Sequence, residues 1–408
     1  MPEFIDIKKT CLKNQEVSRR VIDEFLLYYA ADRYNLDSEM KKQFSRYRHF
    51  TRKAPDEWIN RMKGQYIAHR IFKEDGLINK LINHSGLSHL DEDEMAFLRH
   101  NQKHPWRFSF SVIVERPAKD FFKMMDVFTE EEFLLFSPGI SRTLEEREPI
   151  LWLNLLSFNG KCWETYGIIN SYHGFEPEDM LYYASELYPN QWIENSDQFL
   201  DLAEKNPVPF MILILKSELP LVFKGGDQFV QITGEFLDDT FNSSSFQDVF
   251  SVEYARGVYR FALKDWSNFP HYSMAYYDEK EQLLFLSAST DRGYETLVHA
   301  LNECGYDLPH DPDFRVNMGM MATMQEILKK DIRLNPYEAV FEDSESEEPE
   351  AMEKSAQMDN LNEMLSAIIP DLNAGKKPDV KQLARTYNVD EQTVKELVDE
   401  LWNKYGSG

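Results

Sequence analysis

Cysteine and long apolar runs are both scarce in this chain. Its 408 residues contain three cysteines, Cys11, Cys162 and Cys304, and none of them lies in a CxxC pair. This rules out a disulfide framework and is typical of a reducing compartment. The longest apolar run, Phe210–Leu215, is far shorter than the roughly 20 residues that span a bilayer. The first residues also lack the apolar core of a secretory signal. These absences predict a cytoplasmic protein without a membrane segment.

Sequence patterns that name a reaction are lacking too. There is no GxSxG nucleophile motif, no HExxH zinc motif, and no GKS/T after the glycine pair at 225–226. His100 and His104 have the i, i+4 spacing of metal ligands on a helix. However, Pro105 ends that helix, so polar surface residues are the simpler interpretation. We therefore expect no catalytic residue, no cofactor and no metal site. An enzyme of unrecognised class stays open as an alternative.

Charge, in contrast, is abundant and unevenly placed. The formal net charge is −25, yet residues 41–73 carry ten Lys and Arg against two acids, a local net of +8. The residues predicted to bind a partner are the basic ones at the start of this segment: Lys41, Lys42, Arg46, Arg48, Arg52, Lys53, Arg61 and Lys63. A positive segment in an acidic chain predicts a surface for an anionic partner, either nucleic acid or an acidic protein segment.

Aromatic residues are interleaved with these basic ones. Exposed aromatic rings can stack on unpaired bases, which would favour nucleic acid. Phe44, Tyr47 and Phe50, however, recur every three residues, a spacing that favours the buried side of a helix. The sequence therefore predicts that the charges, and not these three rings, contact the partner.

The remaining patterns predict an α+β multidomain protein with a β-rich antiparallel middle. Short aromatic and branched segments between residues 106 and 170, such as RFSFSVIVE and ILWLNLLSF, recur about every 10–15 residues, as in a small barrel. Asn159-Gly160 is the best hairpin signal. The predicted regions are a helical region with the basic segment (1–105), a small barrel with helices (106–205), an α+β domain (206–340), an acidic disordered linker (341–359) and a helix-turn-helix-like module (360–405).

Three local predictions are specific enough to test. Val21, Phe25, Tyr28 and Tyr29 recur at helical spacing and predict one apolar stripe. The segment VPFMILIL, residues 208–215, reads as a strand. MGMMATMQEILKK, which begins at Met318, reads as a helix.

The end of the chain combines an acidic segment with a helical pattern. Residues 342–359 contain eight acids and one Lys, which predicts a linker that could also lie across the basic segment. PDVKQLARTYNVDEQTVKELVDELW has the spacing of a helix-turn-helix. Its second helix, Asp390–Trp402, carries five acids and only Lys395, so phosphates would repel it. A protein-interaction module is favoured, and a DNA-binding transcription regulator is the alternative.

Residues 90–305 resemble a family of bacterial proteins. LDEDEMAFLRHNQKHPWRFSFSVIV and DFFKMMDVFTEEEFLLFS resemble the small-barrel segment of uncharacterised proteins that often end in a SecA-type zinc-binding tail, the SEC-C motif. LPLVFKGGDQFVQITG and LLFLSASTDRGYETLVHALNECG resemble the segments that follow it. The zinc-ligating tail is absent here, and the helical module stands in its place. The resemblance implies a bacterial protein with a small barrel, and it implies no catalytic residue.

Together these features predict a non-catalytic adaptor or regulator. Its basic helical surface would bind the anionic partner, and residues 360–405 would recruit a second protein.

Overall fold

The computed structural model describes residues 2–144, 149–191, 193, 195–216, 223–224, 226–239, 241, 246, 248–264, 271–333, 335–345, 364, 368, 376–387 and 389–405. They form an α+β multidomain protein with a helical N-terminal region, a closed five-stranded barrel and an antiparallel sheet. Nowhere in these ranges is a helix long and apolar enough to cross a membrane.

The N-terminal region is helical, as predicted. Its elements are α1 (Pro2–Ser18), a π-helix (Arg19–Leu26), α2 (Leu27–Tyr34), α3 (Leu36–Ser45), α4 (Arg48–Thr51), α5 (Asp56–Phe72), α6 (Ile78–Leu81), a 3₁₀ turn (Ser85–Leu87) and α7 (Glu92–Lys103). Helix α7 begins with a capping box, in which the Glu94 amide donates to the Asp91 carboxylate at 2.8 Å. Asn35 adopts the left-handed conformation and so separates α2 from α3.

The predicted apolar stripe near residue 25 is wrong at one position. Val21 is fully buried, Phe25 and Tyr29 are half-buried, and Tyr28 is 72 % exposed. The reason is the π-helix, whose i→i+5 hydrogen bonds put more residues into each turn than an α-helix has. The apolar residues therefore no longer repeat with the 3.6-residue period of an α-helix. As a result, Tyr28 points to solvent.

The predicted small barrel is confirmed. It consists of β1 (Arg107–Ala118), β2 (Phe121–Asp126), β3 (Glu132–Phe136), α8 (Pro138–Leu144), β4 (Leu151–Phe158) and β5 (Trp163–Tyr172). The strand order is β1-β2-β3-β5-β4, closed by pairing of β4 with β1. The β4–β5 connection contains Gly160 with φ +91° at the predicted Asn-Gly turn. Five strands with a helix between the third and fourth have the connectivity of an OB-fold.

One pair of barrel strands, β3 and β5, is parallel. The other four pairs are antiparallel, as the predicted antiparallel β-rich middle requires. Strand directions cannot alternate around a closed ring with an odd number of strands, so a five-stranded barrel needs a parallel pair. Helix α8 begins the crossover that makes this pair possible.

The chain then returns to helix, as predicted, with α9 (Pro177–Leu187) and α10 (Ser196–Lys205). The segment that reads as a strand, 208–215, is helical instead, forming α11 (Val208–Ile212) and a 3₁₀ turn (Leu213–Lys216). All five residues of α11 are buried. A short helix buried on every side has the same apolar run as a buried strand, so periodicity cannot distinguish the two.

The predicted α+β block is a six-stranded antiparallel sheet with helices on both faces. Its elements are β6 (Phe223–Lys224), β7 (Asp227–Gln228), β8 (Val230–Leu237), β9 (Phe250–Ala255), β10 (Val258–Leu263), β11 (Ser273–Asp278), β12 (Leu283–Ala288), α12 (Asp291–Glu303), β13 (Phe314–Asn317), α13 (Met318–Leu328) and α14 (Glu338–Glu345). The sheet order is β13-β8-β12-β11-β10-β9, and β6 and β7 form a separate two-stranded pair. Leu297 and Leu301 of α12 pack on one face, and Phe341 of α14 packs on Tyr276 of the other.

The described C-terminal helices are α15 (Val380–Tyr387) and α16 (Glu391–Tyr405), as expected for a helical C-terminal module. Their buried core consists of Met364, Ile368, Val394 and Val398. Helix α14 reaches Glu345, and residues 346–359 of the predicted linker lie outside the described residues.

The largest hydrophobic core joins the helical region to the barrel. Ile71 and Phe72 of α5 belong to the same buried cluster as Leu153 and Leu155 of β4. Gln65 of α5 also donates a hydrogen bond to the carbonyl of Tyr166 in β5, at 2.9 Å. The helices that carry the basic residues are therefore fixed on the barrel.

Candidate anion-binding surface

The basic residues predicted to bind a partner lie on three consecutive helices and the link between them. Seven of the eight are exposed and Lys63 is half-buried. We call this set the basic surface: Lys41, Lys42 and Arg46 on or next to α3, Arg48 on α4, Arg52 and Lys53 in the link, and Arg61 and Lys63 on α5.

The basic side chains face outward because the apolar residues between them face the core. Leu36, Met40 and Phe44 follow one another at four-residue spacing on α3, and all are buried. Phe50 of α4 and Met62 of α5 are buried in the same cluster. The basic residues occupy the remaining positions of these helices, so amphipathic packing leaves them at the solvent side.

Few of these charges are neutralised locally. In the described part of the chain, Arg61 is the one member of the basic surface in an ion pair, at 2.5 Å from Glu57 on the same helix. The Arg46 guanidinium lies 3.4 Å from the side-chain oxygen of Gln43, which is neutral. An exposed ion pair of this kind contributes about 0–1 kcal/mol, and a stronger anion would displace it readily.

Hydrogen bonds hold the three helices in place beneath the charges. The His49 ring on α4 donates to the carbonyl oxygens of Glu326 and Ile327 on α13, at 3.0 and 3.1 Å. The Tyr66 hydroxyl and the Arg70 guanidinium of α5 donate to Glu39 of α3, at 2.6 and 2.8 Å. Burial acts to raise the pKa of Glu39, but these two donors outweigh it and the pKa is lowered. The backbone that carries the basic surface is thus held in place before any partner binds.

The interleaved aromatic rings are part of the core, as the three-residue spacing predicts. Phe44 and Phe50 are 6 % and 5 % exposed. Tyr47 is half-buried, and burial raises its pKa. Trp58, at 41 % exposure, is the large aromatic side chain on these helices that reaches solvent. The surface therefore exposes charge and few aromatic rings.

Helix α1 packs on the part of the barrel that OB-folds use for oligonucleotides, at two loops and at the ends of β2 and β3. Such barrels bind through strands 2 and 3 and through the loops after strands 1 and 4. Here helix α1 lies against those elements. Lys8 pairs with Asp120 in the first of these loops at 2.8 Å, and the Phe4 ring lies 5.0 Å from that of Phe121. Cys11 contacts Cys162 beside the second loop.

Two cations on the barrel strands, Lys123 and Arg107, are paired with acids. Lys123 lies 2.7 Å from Glu132, and Arg107 lies 2.5 Å from Glu131 while its guanidinium stacks over Trp163 at 4.9 Å. These charges stabilise the barrel wall and are less available to a ligand than the basic surface.

The described side chains of the C-terminal module do not form a positive DNA-reading face. Glu391 and Lys395 are both exposed on α16, and Asp399 pairs with Lys377 at 2.7 Å. Asp390 caps this helix by accepting from the Thr393 amide at 3.0 Å, which lowers the pKa of Asp390. Acids at a helix N-terminus suit the helix dipole but repel phosphates.

The histidines with metal-ligand spacing have structural roles. His100 donates to the carbonyl of Phe158 at 2.9 Å, and burial lowers its pKa. Its ring packs 4.5 Å from that of His104. Over the described ranges, no three His, Cys, Asp or Glu side chains are arranged to hold a metal ion.

Two polar clusters were missed by sequence reasoning. Arg315 of β13 binds Glu176 at 2.7 Å and Asp291 at 3.0 Å, and so links the start of α9 to the sheet and to α12. Cys11 and Cys162 meet although 150 residues separate them in the chain. Neither cluster has a local motif, because each is assembled by the tertiary fold.

Comparison of this chain with protein-family models, with curated proteins and with solved structures finds no match.

Proposed function

We propose that this protein is a non-catalytic adaptor that binds a polyanionic partner through the basic surface. The observation that carries the proposal is the set of exposed Lys and Arg side chains on α3, α4 and α5, of which only Arg61 has an ion-pair partner among the described residues. In a chain of net charge −25, such a surface attracts anions locally while the rest of the molecule repels them.

The geometry favours binding through the partner's backbone charges. Phe44 and Phe50 are buried, so bases have few rings on which to stack. Lys and Arg contact phosphates whatever the base sequence. We therefore expect binding that is blind to sequence and steeply dependent on salt. A DNA-reading role for α16 gains no support, since Glu391 lies exposed at its N-terminus.

The test is fluorescence anisotropy of a labelled single-stranded oligonucleotide and of a poly-glutamate peptide, each titrated with the intact protein across a salt series. The test variant replaces Arg46, Arg48 and Arg52 by Glu. The matched control replaces Lys103, Lys119 and Lys161 by Glu; these side chains are also exposed, and none has an ion-pair partner among the described residues. Both variants change the net charge equally, so only a local site distinguishes them.

The proposal predicts that the test variant loses binding and that the control keeps it. Each lost phosphate contact should reduce the logarithmic salt slope by about 0.7 for a single strand, hence by about 2 for three contacts. Equal losses in both variants would show that net charge alone drives association. If neither probe binds the intact protein at low salt, the polyanion function is refuted.

The acidic segment 342–359 is an internal competitor to be tested in the same assay. Neutralising Glu347, Glu348, Glu350 and Glu353 to Gln in the intact chain should strengthen binding if this segment competes for the basic surface.

The proposal also includes recruitment of a second protein by residues 360–405 and a cytoplasmic location. A pull-down with Glu391→Lys against the intact chain tests the former.

A further inference from the structure

Two cysteines distant in the chain are held side by side between the first helix and the barrel. The Cys11 and Cys162 sulfurs are 3.4 Å apart, and the two residues are 0 % and 1 % exposed. Cys11 lies on α1 and Cys162 directly before β5. A disulfide requires a sulfur separation of about 2.0 Å, so the pair must close by a further 1.4 Å or so.

The surrounding residues position both sulfurs. The Asn159 amide donates to Cys11 Sγ at 3.2 Å, to Cys162 Sγ at 3.6 Å and to Glu164 at 2.7 Å. Its carbonyl oxygen accepts from the Cys162 amide at 3.0 Å, which fixes the turn that carries the second cysteine. Asn14 of α1 donates to the same Glu164 oxygen at 2.8 Å. One asparagine thus orders the turn and both sulfurs.

We propose that Cys11 and Cys162 form a reversible disulfide that fastens helix α1 across the barrel. The oxidant is hydrogen peroxide, because buried sulfurs are reached by a molecule of nearly the size of water and not by a bulky disulfide. Lys8 with Asp120 and Phe4 with Phe121 already hold α1 there without a covalent bond. The disulfide would hold α1 on the barrel covalently until a reductant cleaves the S–S bond.

The chemistry balances with peroxide as the only co-reactant. The Cys162 thiolate attacks one peroxide oxygen, the O–O bond breaks, and a sulfenic acid and hydroxide form; the thiol proton converts the hydroxide to water. Cys11 Sγ then attacks Cys162 Sγ, and the second hydroxide leaves with the Cys11 proton as another water. In sum, two thiols and one peroxide give one disulfide and two waters.

The hydrogen bonds favour this order of attack. Either sulfur can donate the hydrogen bond that joins the pair. In the arrangement with Cys11 as the donor, Cys11 and Asn159 both donate to Cys162 and lower its pKa. The Cys11 thiol, which donates to Cys162 and is buried, has a raised pKa. In this arrangement Cys162 is the nucleophile and Cys11 is the resolving residue; the disulfide product is the same if the roles are exchanged.

The experiment is a thiol count on the intact protein after peroxide treatment and denaturation. The reduced chain should give three thiols, and the oxidised chain should give one, that of Cys304. A tryptic digest without reductant should contain Thr10–Lys13 joined to Cys162–Lys205, lighter by two hydrogens than the separate peptides. Reductant should separate them.

Variants distinguish this pair from other thiol chemistry. Cys304→Ala should leave the joined peptide unchanged, whereas Cys11→Ser and Cys162→Ser should each abolish it. Asn159→Ala should slow its formation several-fold, because both sulfurs lose their common donor and the turn loses the oxygen that accepts from the Cys162 amide. The Cys304→Ala protein keeps the pair intact, so it tests the proposal even if a serine variant does not fold.

Retention of three thiols at a peroxide concentration that oxidises a free cysteine would overturn the proposal. Disulfides between chains, or oxidation of Cys304 alone, would also contradict it.

Discussion

The buried carboxyl group of Glu164 should make the stability of the fold depend on pH, and one substitution should remove this dependence. Its side chain is buried, with 2 % exposure. One carboxylate oxygen accepts from Asn14 and Asn159, and the other has no partner among the described residues. Burial raises the pKa of Glu164 from 4.5 to about 7, against the opposing effect of its amide donors.

The sign follows from proton linkage. Between pH 5 and pH 8 the folded chain holds a proton on Glu164 that the unfolded chain has released, so stability falls as the pH rises. The contribution is complete below the unfolded pKa and is lost as the pH rises through 7. Integrating between pH 5 and pH 8 gives a loss of about 2–3 kcal/mol in the free energy of unfolding.

The perturbation is Glu164→Gln. Its carbonyl oxygen can still accept from Asn14 and Asn159, and its amide occupies the place of the unpartnered oxygen. Between pH 5 and pH 8, the free energy of unfolding of the variant should therefore rise by about 2–3 kcal/mol relative to that of the parent. Urea unfolding followed by tryptophan fluorescence at the two pH values measures this difference.

Glu115→Gln is the control, since Glu115 is exposed on β1. Its unfolding curves should keep the pH dependence of the parent. If the Glu164→Gln and parent curves shift in parallel between pH 5 and pH 8, the buried-carboxyl reasoning is wrong.

Three further predictions concern stability and are measured by denaturant unfolding. Gly64→Ala in α5 should stabilise the protein by about 1 kcal/mol, because the nearest atom to the added methyl, on Leu27, is 3.9 Å away. Gly76→Ala should destabilise it, because the methyl would lie 2.4 Å from the Ile71 carbonyl oxygen; equal effects at the two glycines would contradict the packing described. Leu155→Ala, fully buried in the main core, should cost about 2–5 kcal/mol, whereas the 49 % exposed Val114→Ala should change stability by less than about 0.5 kcal/mol.

Much of the fold follows from local sequence patterns. The barrel strands and the Asn159-Gly160 turn are local features, since alternation and turn chemistry depend on neighbouring residues. The helical N-terminal region and Met318–Leu328 follow from periodicity in the same way. The basic surface is predictable because every apolar partner on α3 lies within a few turns of it.

The features that could not be predicted from the sequence depend on contacts between distant residues or on unusual backbone geometry. The buried helix Val208–Ile212 has the composition of a strand, and only its surroundings decide its form. The π-helix at Arg19–Leu26 has no composition signal and moves Tyr28 to the surface. Cys11 and Cys162 meet through the docking of α1 on the barrel, which no spacing rule describes.

The most direct test of the central claim is the anisotropy titration of the oligonucleotide with intact protein and with the two triple variants at low salt. We expect binding by the parent and by Lys103→Glu/Lys119→Glu/Lys161→Glu, and loss of binding by Arg46→Glu/Arg48→Glu/Arg52→Glu. Unchanged binding by the arginine variant would show that the basic surface is not the site.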